Sequence, residues 1–560
     1  MMKHYWLHWS RRYWPIFIVL IAVAAIYGRT LGYDFVSWDD DQNITQNPWF
    51  QRSDWWKFWT EPFIGMYVPV VYTFWYGLLR LSPPANPIFF HTANVLMHLG
   101  NVVLVYAIAR RAEEHLNSGS RNSSAAAFIA AVVFALHPLQ VESVAWVTGL
   151  RDLLCCFWVL LATLLSLSSG SSRLRAVCAF LAFIIAVLCK PSAVVLPVIL
   201  SIISYLGGRA TLRKLFIRYL PWGLVSGIVV WLTAHIQTEV ISFAVPPLSF
   251  AKRLLIAVDS LGFYLSKFVA PFGLAVDYGR TPEKVLGSQS YYLSIAWLIL
   301  LVSLLALSWR KLKATDWGWL LFAGMMMTPT SGIVPFAFQH VSSVADHYAY
   351  LPLVGVAIFL GLLVARLPRR LAIGIALVLS VYMTMVSLQR VAIWQDDKTL
   401  YPVMIAANPD SFAGQIGMLA IAMREERYQD ALPYLRNAER IEPTNVVTLL
   451  DKWLLYARLG RYEDVVADAP GHILTKEKII ANPNSASTIA AQYVVLAYAQ
   501  MQLGTLFESL GTVCLARFAD PANNDAKNFL PYLGQRLKLT ISPEQWCLEN
   551  EKLWTPYAAK

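Results

Sequence analysis

Charge is what this 560-residue sequence has least of. Asp, Glu, Lys and Arg together make up 14% of it, against about 25% in a soluble domain. Hydrophobic residues make up 57% and the mean hydropathy is +0.48. That deficit excludes a soluble globular protein. Cysteine is sparse too, with six residues, so no disulfide framework is expected. Cys155, Cys156, Cys178 and Cys189 lie in apolar runs, where a thiol is usually a small core residue. Cys514 and Cys547 are able to pair, but sequence alone leaves this open. No cleavable leader is evident: Lys3, Arg11 and Arg12 precede an apolar stretch too long for a signal-peptide core, so a retained first helix is expected. Acidic residues are the minority, 35 against 46 Lys and Arg, which gives a net charge of +11. The basic residues nevertheless fall in short clusters between apolar runs. That pattern orients membrane helices and argues against a nucleic-acid partner.

What is present is apolar length. Runs of roughly 17 to 25 residues are the unit of a membrane span. They occur near 15–31, 88–109, 124–138, 152–168, 174–189, 192–206, 219–236, 290–309, 317–335, 349–365 and 371–388. Basic clusters sit at Lys3/Arg11/Arg12, Arg110/Arg111/Arg121, Arg173/Arg175, Arg209/Arg213/Lys214/Arg218, Arg310/Lys311/Lys313 and Arg366/Arg369/Arg370. Placing all six inside satisfies the positive-inside rule with about eleven crossings, a cytoplasmic N-terminus and everything after Leu388 outside. Two apolar stretches break the parity. Residues 68–81 contain Pro69 and precede Pro83-Pro84, and residues 251–269 carry Asp259 and Lys267. Both are expected to be interfacial or re-entrant helices on the outer side. The 21 Trp and 26 Tyr suit aromatic belts at two interfaces.

With this parity, Asp39, Asp40, Asp41, His91, His137, Glu142, Arg151, Asp152, Lys190, Asp277, Tyr278, Asp346 and His347 fall at or near outer ends of spans. Snorkelling or local salt bridges, such as Arg151 with Asp152 or Glu142, explain any one of them. Convergence on one outward cavity explains the group. The segment Phe35-Val36-Ser37-Trp38-Asp39-Asp40-Asp41 is the sharpest case. It is either a solvated acidic loop or holds a general base, with like-charge repulsion keeping one carboxyl basic.

Composition changes near Trp394, with more charge and Asn-Pro turns. Pro409 and Pro443 are 34 residues apart, as are Arg427-Tyr428 and Arg461-Tyr462. This period is the tetratricopeptide signature, and a third, divergent unit is expected over 484–520. Such units are helix pairs that bury their apolar faces only against neighbours, and the stack suits a peptide or protein, or serves as a cap or dimer contact.

These residues resemble the transmembrane and tetratricopeptide-repeat (TMTC) O-mannosyltransferases and their bacterial relatives, within the GT-C glycosyltransferases. The resemblance runs through Phe35-x-x-Trp38-Asp39-Asp40, Asn47-Pro48, Tyr67-x-Pro69 and Phe90-His91-x-x-Asn94-x-x-x-His98. It continues in His137-Pro138-x-x-x-Glu142-Ser143-Val144-Ala145, Arg151-Asp152-Leu153-Leu154, Lys190 and Leu274-x-x-Asp277-Tyr278. Asp346-His347-Tyr348-x-Tyr350-Leu351-Pro352, Trp394-x-Asp396 and Asn408-Pro409 complete it. The family commonly has Gly-Arg-x-Asp where this chain has Gly149-Leu150-Arg151-Asp152, and Glu-Arg-Tyr where it has Asp346-His347-Tyr348. Mannose is therefore not assumed.

The resemblance implies an all-α polytopic membrane protein of GT-C type with about 11 transmembrane helices, plus a C-terminal α-solenoid of TPR repeats. Residues 1–392 would be the catalytic domain, with outer loop 32–87, and residues 393–560 the repeat domain. It implies transfer of a sugar from a polyprenyl-phosphate donor to a hydroxyl of an exported protein, for instance a pilin-like subunit, docked on the repeats. The location would be a bacterial inner membrane with the repeats periplasmic. Asp39 is the expected base, with Asp40 its rival and Glu142 orienting the sugar, the acceptor or Arg151. Arg151, Lys190 and, if protonated, His347 would hold the donor phosphate. His91, His137, Asp152, Asp277, Tyr278, Asp346 and Tyr348 would line the sugar or acceptor site. No cofactor is required, though Asp39 and Asp40 could hold Mg²⁺ or Mn²⁺ within a larger oxygen shell. Rival readings are a transferase acting on lipid A or a surface glycan, a non-enzymatic membrane scaffold, and a transporter. The charges gather at one face and no inverted repeat is apparent, which disfavours the last.

Overall fold

A computed structural model describes residues 2–114, 123–168, 172–208, 210–244, 248–443, 445–472, 479 and 486–550; side chains are described within these ranges except at 2–13, 114, 123–124, 238–244 and 446. The expected inner charges of Lys3, Arg11, Arg12, Arg121 and Arg209, and the first residues of the third repeat, lie outside this description. The described residues are helical with no strand; one isolated bridge joins Phe63 to Met66. The chain forms two compact units, Met1–Pro409 and Asp410–Lys560.

The first unit is a multi-pass membrane bundle. Six described helices are long and apolar enough to cross a membrane: Trp14–Gly32, Pro87–Glu113, Val147–Leu167, Leu212–Gln237, Tyr291–Ser308 and Arg369–Ala392. A bent pair, Ala125–Leu136 with Pro138–Ala145, makes a seventh if it is one span. The other expected spans form shorter helices, Arg173–Cys189, Leu196–Leu206, Ala314–Met327 and Pro352–Val364. The eleven-crossing count therefore exceeds what helix length alone supports. Leu293, Ile299, Val302, Leu304 and Leu307 stand exposed along Tyr291–Ser308. An apolar surface of that extent suits lipid rather than water.

Short helices are central here because small residues let backbones approach. On Pro352–Val364, a Cβ at Gly361 would sit 2.5 Å from the Ala126 carbonyl oxygen, and one at Gly355 would sit 2.5 Å from that of Trp319. The helix is thereby packed against both Ser123–Leu136 and Ala314–Met327. The 52° bend in the seventh span has a local cause. Pro138 disfavours helical backbone at His137, which is extended (φ −64°, ψ 130°). A short helix Val141–Ala145 follows, then extended Trp146 and the turn Val147–Gly149 leading into Leu150–Leu167. The sequence expected interfacial helices near 68–81 and 251–269. Helices form at Pro69–Leu81 and Phe250–Val269.

In the second unit the 34-residue spacing of the first two repeats reappears as repeated backbone geometry, which recurs once more after a longer interval. Helices Phe412–Arg424, Val446–Arg458 and Ala486–Gln502 are each followed by a left-handed residue: Glu426 (φ 58°), Gly460 (φ 73°) and Gly504 (φ 84°). The next amide closes a six-residue ring onto the helix: Arg427 to Ala422, Arg461 to Tyr456 and Thr505 to Gln500, at 2.9, 2.8 and 3.0 Å. Arg427 and Arg461 share one conformation, φ −87°, ψ 58° and φ −86°, ψ 57°. Each starts a second helix, Tyr428–Ile441 and Tyr462–Asp468; Leu506–Ala519 follows Thr505. These are helix pairs stacked on their apolar faces, with Leu419, Ala431 and Leu455 in one shared cluster.

Cys514 and Cys547, left open by the sequence, form a disulfide with Cα atoms 5.6 Å apart. It ties Leu506–Ala519 to the terminal helix Pro543–Glu549 across 33 residues. Closing a loop of that length contributes about 4 kcal/mol. The double variant Cys514→Ser, Cys547→Ser should lower the melting temperature of the second unit, read by calorimetry against reduced and oxidised wild type. An unchanged transition would show the bond to be stabilising nothing.

Candidate active site

The acidic segment is held by its backbone and by partners distant in sequence. Val36 and Asp39 carbonyls accept the amides of Asp40 and Asn43 at 3.3 and 3.1 Å, turning the chain at the three aspartates. The Asp34 amide donates to the Gln395 carbonyl at 3.0 Å. The Ser37 amide and hydroxyl donate to the two oxygens of Asp397, at 2.7 and 2.8 Å. Residues 393–409 accordingly belong with the first unit, and Trp394 stacks on Trp146 with ring centres 5.8 Å apart.

Asp39 and Asp40 differ sharply. Asp40 is fully buried. Its Oδ2 accepts the Val36 amide at 3.1 Å, and its Oδ1 accepts both the amide (3.0 Å) and the hydroxyl of Thr148. Burial raises its pKa to about 7, outweighing these hydrogen bonds, and the Asp39 charge adds only a smaller push. Loss of water, not repulsion within the triplet, is thus the main perturbation. Asp39 keeps 28% of its side chain exposed and binds Arg151 Nη2 through Oδ2 at 2.7 Å. It is the open carboxylate of the two, and Asp40 is enclosed.

A second ion pair adjoins. Lys190 Nζ meets Asp152 Oδ1 at 2.5 Å and lies 5.2 Å from the centre of the Tyr348 ring. Lys190 sits in an extended break after Arg173–Cys189, and Arg151 and Asp152 open Leu150–Leu167. The turn before them is exceptionally tight: a Cβ on Gly149 would come within 2.3 Å of the Ser143 carbonyl oxygen. Glycine there draws the Glu142 helix close to the start of the Arg151 helix.

Glu142 Oε1 contacts His347 Nδ1 at 2.6 Å. Burial, then the charge of Lys190, lowers the His347 pKa to about 3. The expectation of His347 as a third phosphate cation depended on its being protonated, and burial beside Lys190 works against that. Asp152, Arg151 and Asp39 also act on it electrostatically, so both ion pairs and this histidine form one polar cluster. Tyr348 lies against the same group.

Other expected site residues serve as braces. Asp346 is fully buried, takes the Tyr278 hydroxyl at 2.6 Å and Arg390 Nη2 at 3.0 Å, and burial raises its pKa to about 7. Asp277 accepts the Gly279 amide at 2.7 Å and Asn408 Nδ2 at 3.1 Å. His91 Nε2 donates to the Asp34 carbonyl at 3.4 Å and His137 Nε2 to that of Phe268 at 3.3 Å. His137 Nδ1 accepts the Leu139 amide. Both rings are buried.

Sequence reasoning missed Arg390 and Thr148. Arg390 carried a usable signal, because it is a cation just past the last apolar run, on the side where the charge rule expects none. Thr148 carried no signal of its own. A divalent cation at Asp39 and Asp40 fits poorly, since Thr148 and Val36 engage both Asp40 oxygens and Arg151 engages Asp39. Among the described residues no group of three or more His, Cys, Asp or Glu side chains gathers as a metal site.

No family model matches the chain. Curated relatives that match part of it include protein O-mannosyl-transferase TMTC4 of Homo sapiens, 30% identical over 168 residues, which is 27% of this chain and 22% of that protein. Protein O-mannosyl-transferase TMTC1 of Homo sapiens is 33% identical over 157 residues, 26% of this chain and 17% of that protein. Protein O-mannosyl-transferase F38B6.6 of Caenorhabditis elegans is 28% identical over 216 residues, 36% of this chain and 29% of that protein. The match spans less than a third of the length of each of these relatives. Over that part of its length, the chain is related to the TMTC proteins.

Two outcomes follow from the buried carboxylates. The folded pKa of Asp40, about 7, exceeds its ordinary 3.8. Its stabilising contribution is therefore complete below 3.8 and lost as pH rises through about 7. Asp40→Asn should flatten the fall in melting temperature between about pH 4 and pH 7; an unchanged slope would mean that Asp40 enters the fold ionised. Arg390→Ala strips Asp346 of its cation and should cost about 3–5 kcal/mol in unfolding free energy, measured by denaturation in detergent. A loss under about 1 kcal/mol would count against the pair as a brace.

Proposed function

We propose that the chain is an integral-membrane glycosyltransferase that moves a sugar from a polyprenyl-phosphate-linked donor to a hydroxyl of an exported protein. Three observations support this reading. The matching relatives are named protein O-mannosyl-transferases. The first unit carries several helices able to cross a membrane. The observation that carries it is the cluster itself, in which Asp39–Arg151 and Asp152–Lys190 pair beside His347.

In this reading Asp39 Oδ takes the proton of the acceptor hydroxyl as that oxygen bonds to the sugar's anomeric carbon. The bond from that carbon to the phosphate oxygen breaks, and the polyprenyl phosphate leaves with the electron pair. A hydroxyl is a poor nucleophile, so a placed carboxylate lowers the barrier. Arg151 and Lys190 offset the charge growing on the leaving phosphate, which favours the transition state over the ground state. Both cations now rest on carboxylates, so the donor phosphate would compete with Asp39 and Asp152 for them. Release of Arg151 by Asp39 also leaves that carboxylate freer to act as base. Glu142 holds His347, and Tyr348 forms the face beneath Lys190.

The disulfide of the second unit suits an oxidising compartment. This supports an extracytoplasmic repeat unit and, in a bacterium, an inner-membrane protein with its repeats in the periplasm. Stacked helix pairs of tetratricopeptide type give a surface for an acceptor polypeptide.

The test is mass spectrometry of exported proteins from cells with and without the chain, seeking loss of a hexose or pentose mass. Asp39→Asn should abolish transfer while expression and melting temperature hold, and Lys190→Ala or Arg151→Ala should lower turnover by on the order of a hundredfold. A fully active Asp39→Asn protein would remove Asp39 as the base. A change confined to acceptor affinity in the Lys190 and Arg151 variants would take those cations off the phosphate.

A further inference from the structure

Asp39, Asp40, Thr148 and Arg151 form a closed ring. Asp39 and Asp40 are joined by their peptide bond. Asp40 Oδ1 accepts both the amide and the hydroxyl of Thr148. The Thr148 carbonyl accepts Arg151 Nε at 3.3 Å. Arg151 Nη2 returns to Asp39 Oδ2 at 2.7 Å. Thr148 is itself fully buried and lies in the tight turn Val147–Gly149. One residue thus grips the neighbour of the open carboxylate with its N–H and O–H, and the partner of that carboxylate with its C=O.

From this ring we infer that Thr148 is a positioning residue, which fixes the direction of Asp39 by holding Asp40 and Arg151 at once. The inference rests on the transferase reading and deepens it. Asp40 supplies the anchor. Its burial and the donors already on both its oxygens turn it away from a substrate and make it a strong handle. A buried carboxyl stripped of a donor bears the cost of its lost hydration, so the Thr148 hydroxyl matters more here than it would at the surface. Without the hydroxyl, Asp40 keeps only backbone donors, and the turn carrying Asp39 gains freedom to rotate about them. Misplacing a reacting group by about 1 Å costs on the order of a hundredfold in rate, whereas donor binding through Lys190 is untouched. The signature is therefore a fall in kcat with little change in KM for the donor.

The test uses the full chain in lipid nanodiscs with a polyprenyl-phosphate hexose and an exported-protein fraction as acceptor, and compares wild type, Thr148→Val, Thr148→Ser and Asp39→Asn. Thr148→Val, close in shape but without the hydroxyl, should lose on the order of tenfold to a hundredfold in kcat with donor KM within about twofold. Thr148→Ser, which restores the donor, should recover most of that loss. Amide hydrogen exchange of residues 36–43 should quicken in Thr148→Val and not in Thr148→Ser, a readout independent of turnover. Wild-type kcat in Thr148→Val, a loss matched only by loss of folded protein, no recovery in Thr148→Ser, or unchanged exchange at 36–43 would each overturn the inference. Should Thr148→Val fail to fold, Thr148→Cys takes its place under the same criteria. Full activity in Asp39→Asn would overturn the transferase reading and this inference together. A dead Asp39→Asn beside an unimpaired Thr148→Val would overturn this inference alone.

Discussion

A carboxylate withdrawn from water must be met by donors or an opposite charge, since its lost hydration exceeds what packing returns. The first unit is organised by that requirement. Asp259 is fully buried and both its oxygens take Arg280 at 2.6 Å. Asp316 takes Arg366 at 2.7 and 2.8 Å. Asp346 takes Arg390, and Asp40 takes Thr148 and Val36. Apart from Val36, each partner comes from a different stretch of chain, so satisfying the charge helps decide which loops and helices meet. Apolar packing against lipid-like surroundings supplies no such choice of register.

Local backbone signals then aim the side chains. Pro138 ends the helix before it and forces His137 extended, so Glu142 rides on a short helix set at an angle to the preceding span. Gly149 permits the turn that returns the chain within reach of Ser143, which puts Arg151 and Asp152 near Glu142. Lys190 is delivered by the same kind of break: Pro191 follows it, and the lysine is extended at the end of its helix. Three apolar helices are thus interrupted by proline or glycine, and each interruption carries a residue of the polar cluster.

Apolar runs made most of the helices legible before any coordinates, and the outer-edge argument picked out Asp39, Glu142, Arg151, Lys190 and Asp346 as neighbours in waiting. Crossing number was less legible, because a run such as 349–365 yields a 13-residue helix whose glycines seat it inside the bundle. Side-chain pairings within the first unit were not legible. Thr148 meets Asp40 across 108 residues and Glu142 meets His347 across 205, separations at which no periodicity speaks. His347 illustrates the limit well: the sequence shows an imidazole among acids, while its burial beside Lys190, which lowers its pKa, is visible only in the fold. In the second unit the reverse holds. The 34-residue spacing was visible because it repeats a backbone event, the left-handed residue and its following helix start, and such events leave glycine and arginine–tyrosine marks.

Ion pairs in the first unit also differ in what they permit. Asp259, Asp316 and Asp346 are wholly shielded, with carboxylates at 0% exposure. Replacing such a partner would leave a bare charge in a dry interior, so these pairs hold the scaffold. Asp39–Arg151 and Asp152–Lys190 keep 28% and 13%, and 10% and 20%, of their side chains open. Water reaches them, so a cation there can trade one oxygen anion for another at small desolvation cost. A phosphate displacing Asp152 from Lys190 would be an exchange of like for like. The difference lies in the carboxylates, since Arg280 and Arg366 are as open as Lys190, and it is the partial exposure of Asp39 and Asp152 that would let a substrate oxygen compete for their cations in the transferase reading.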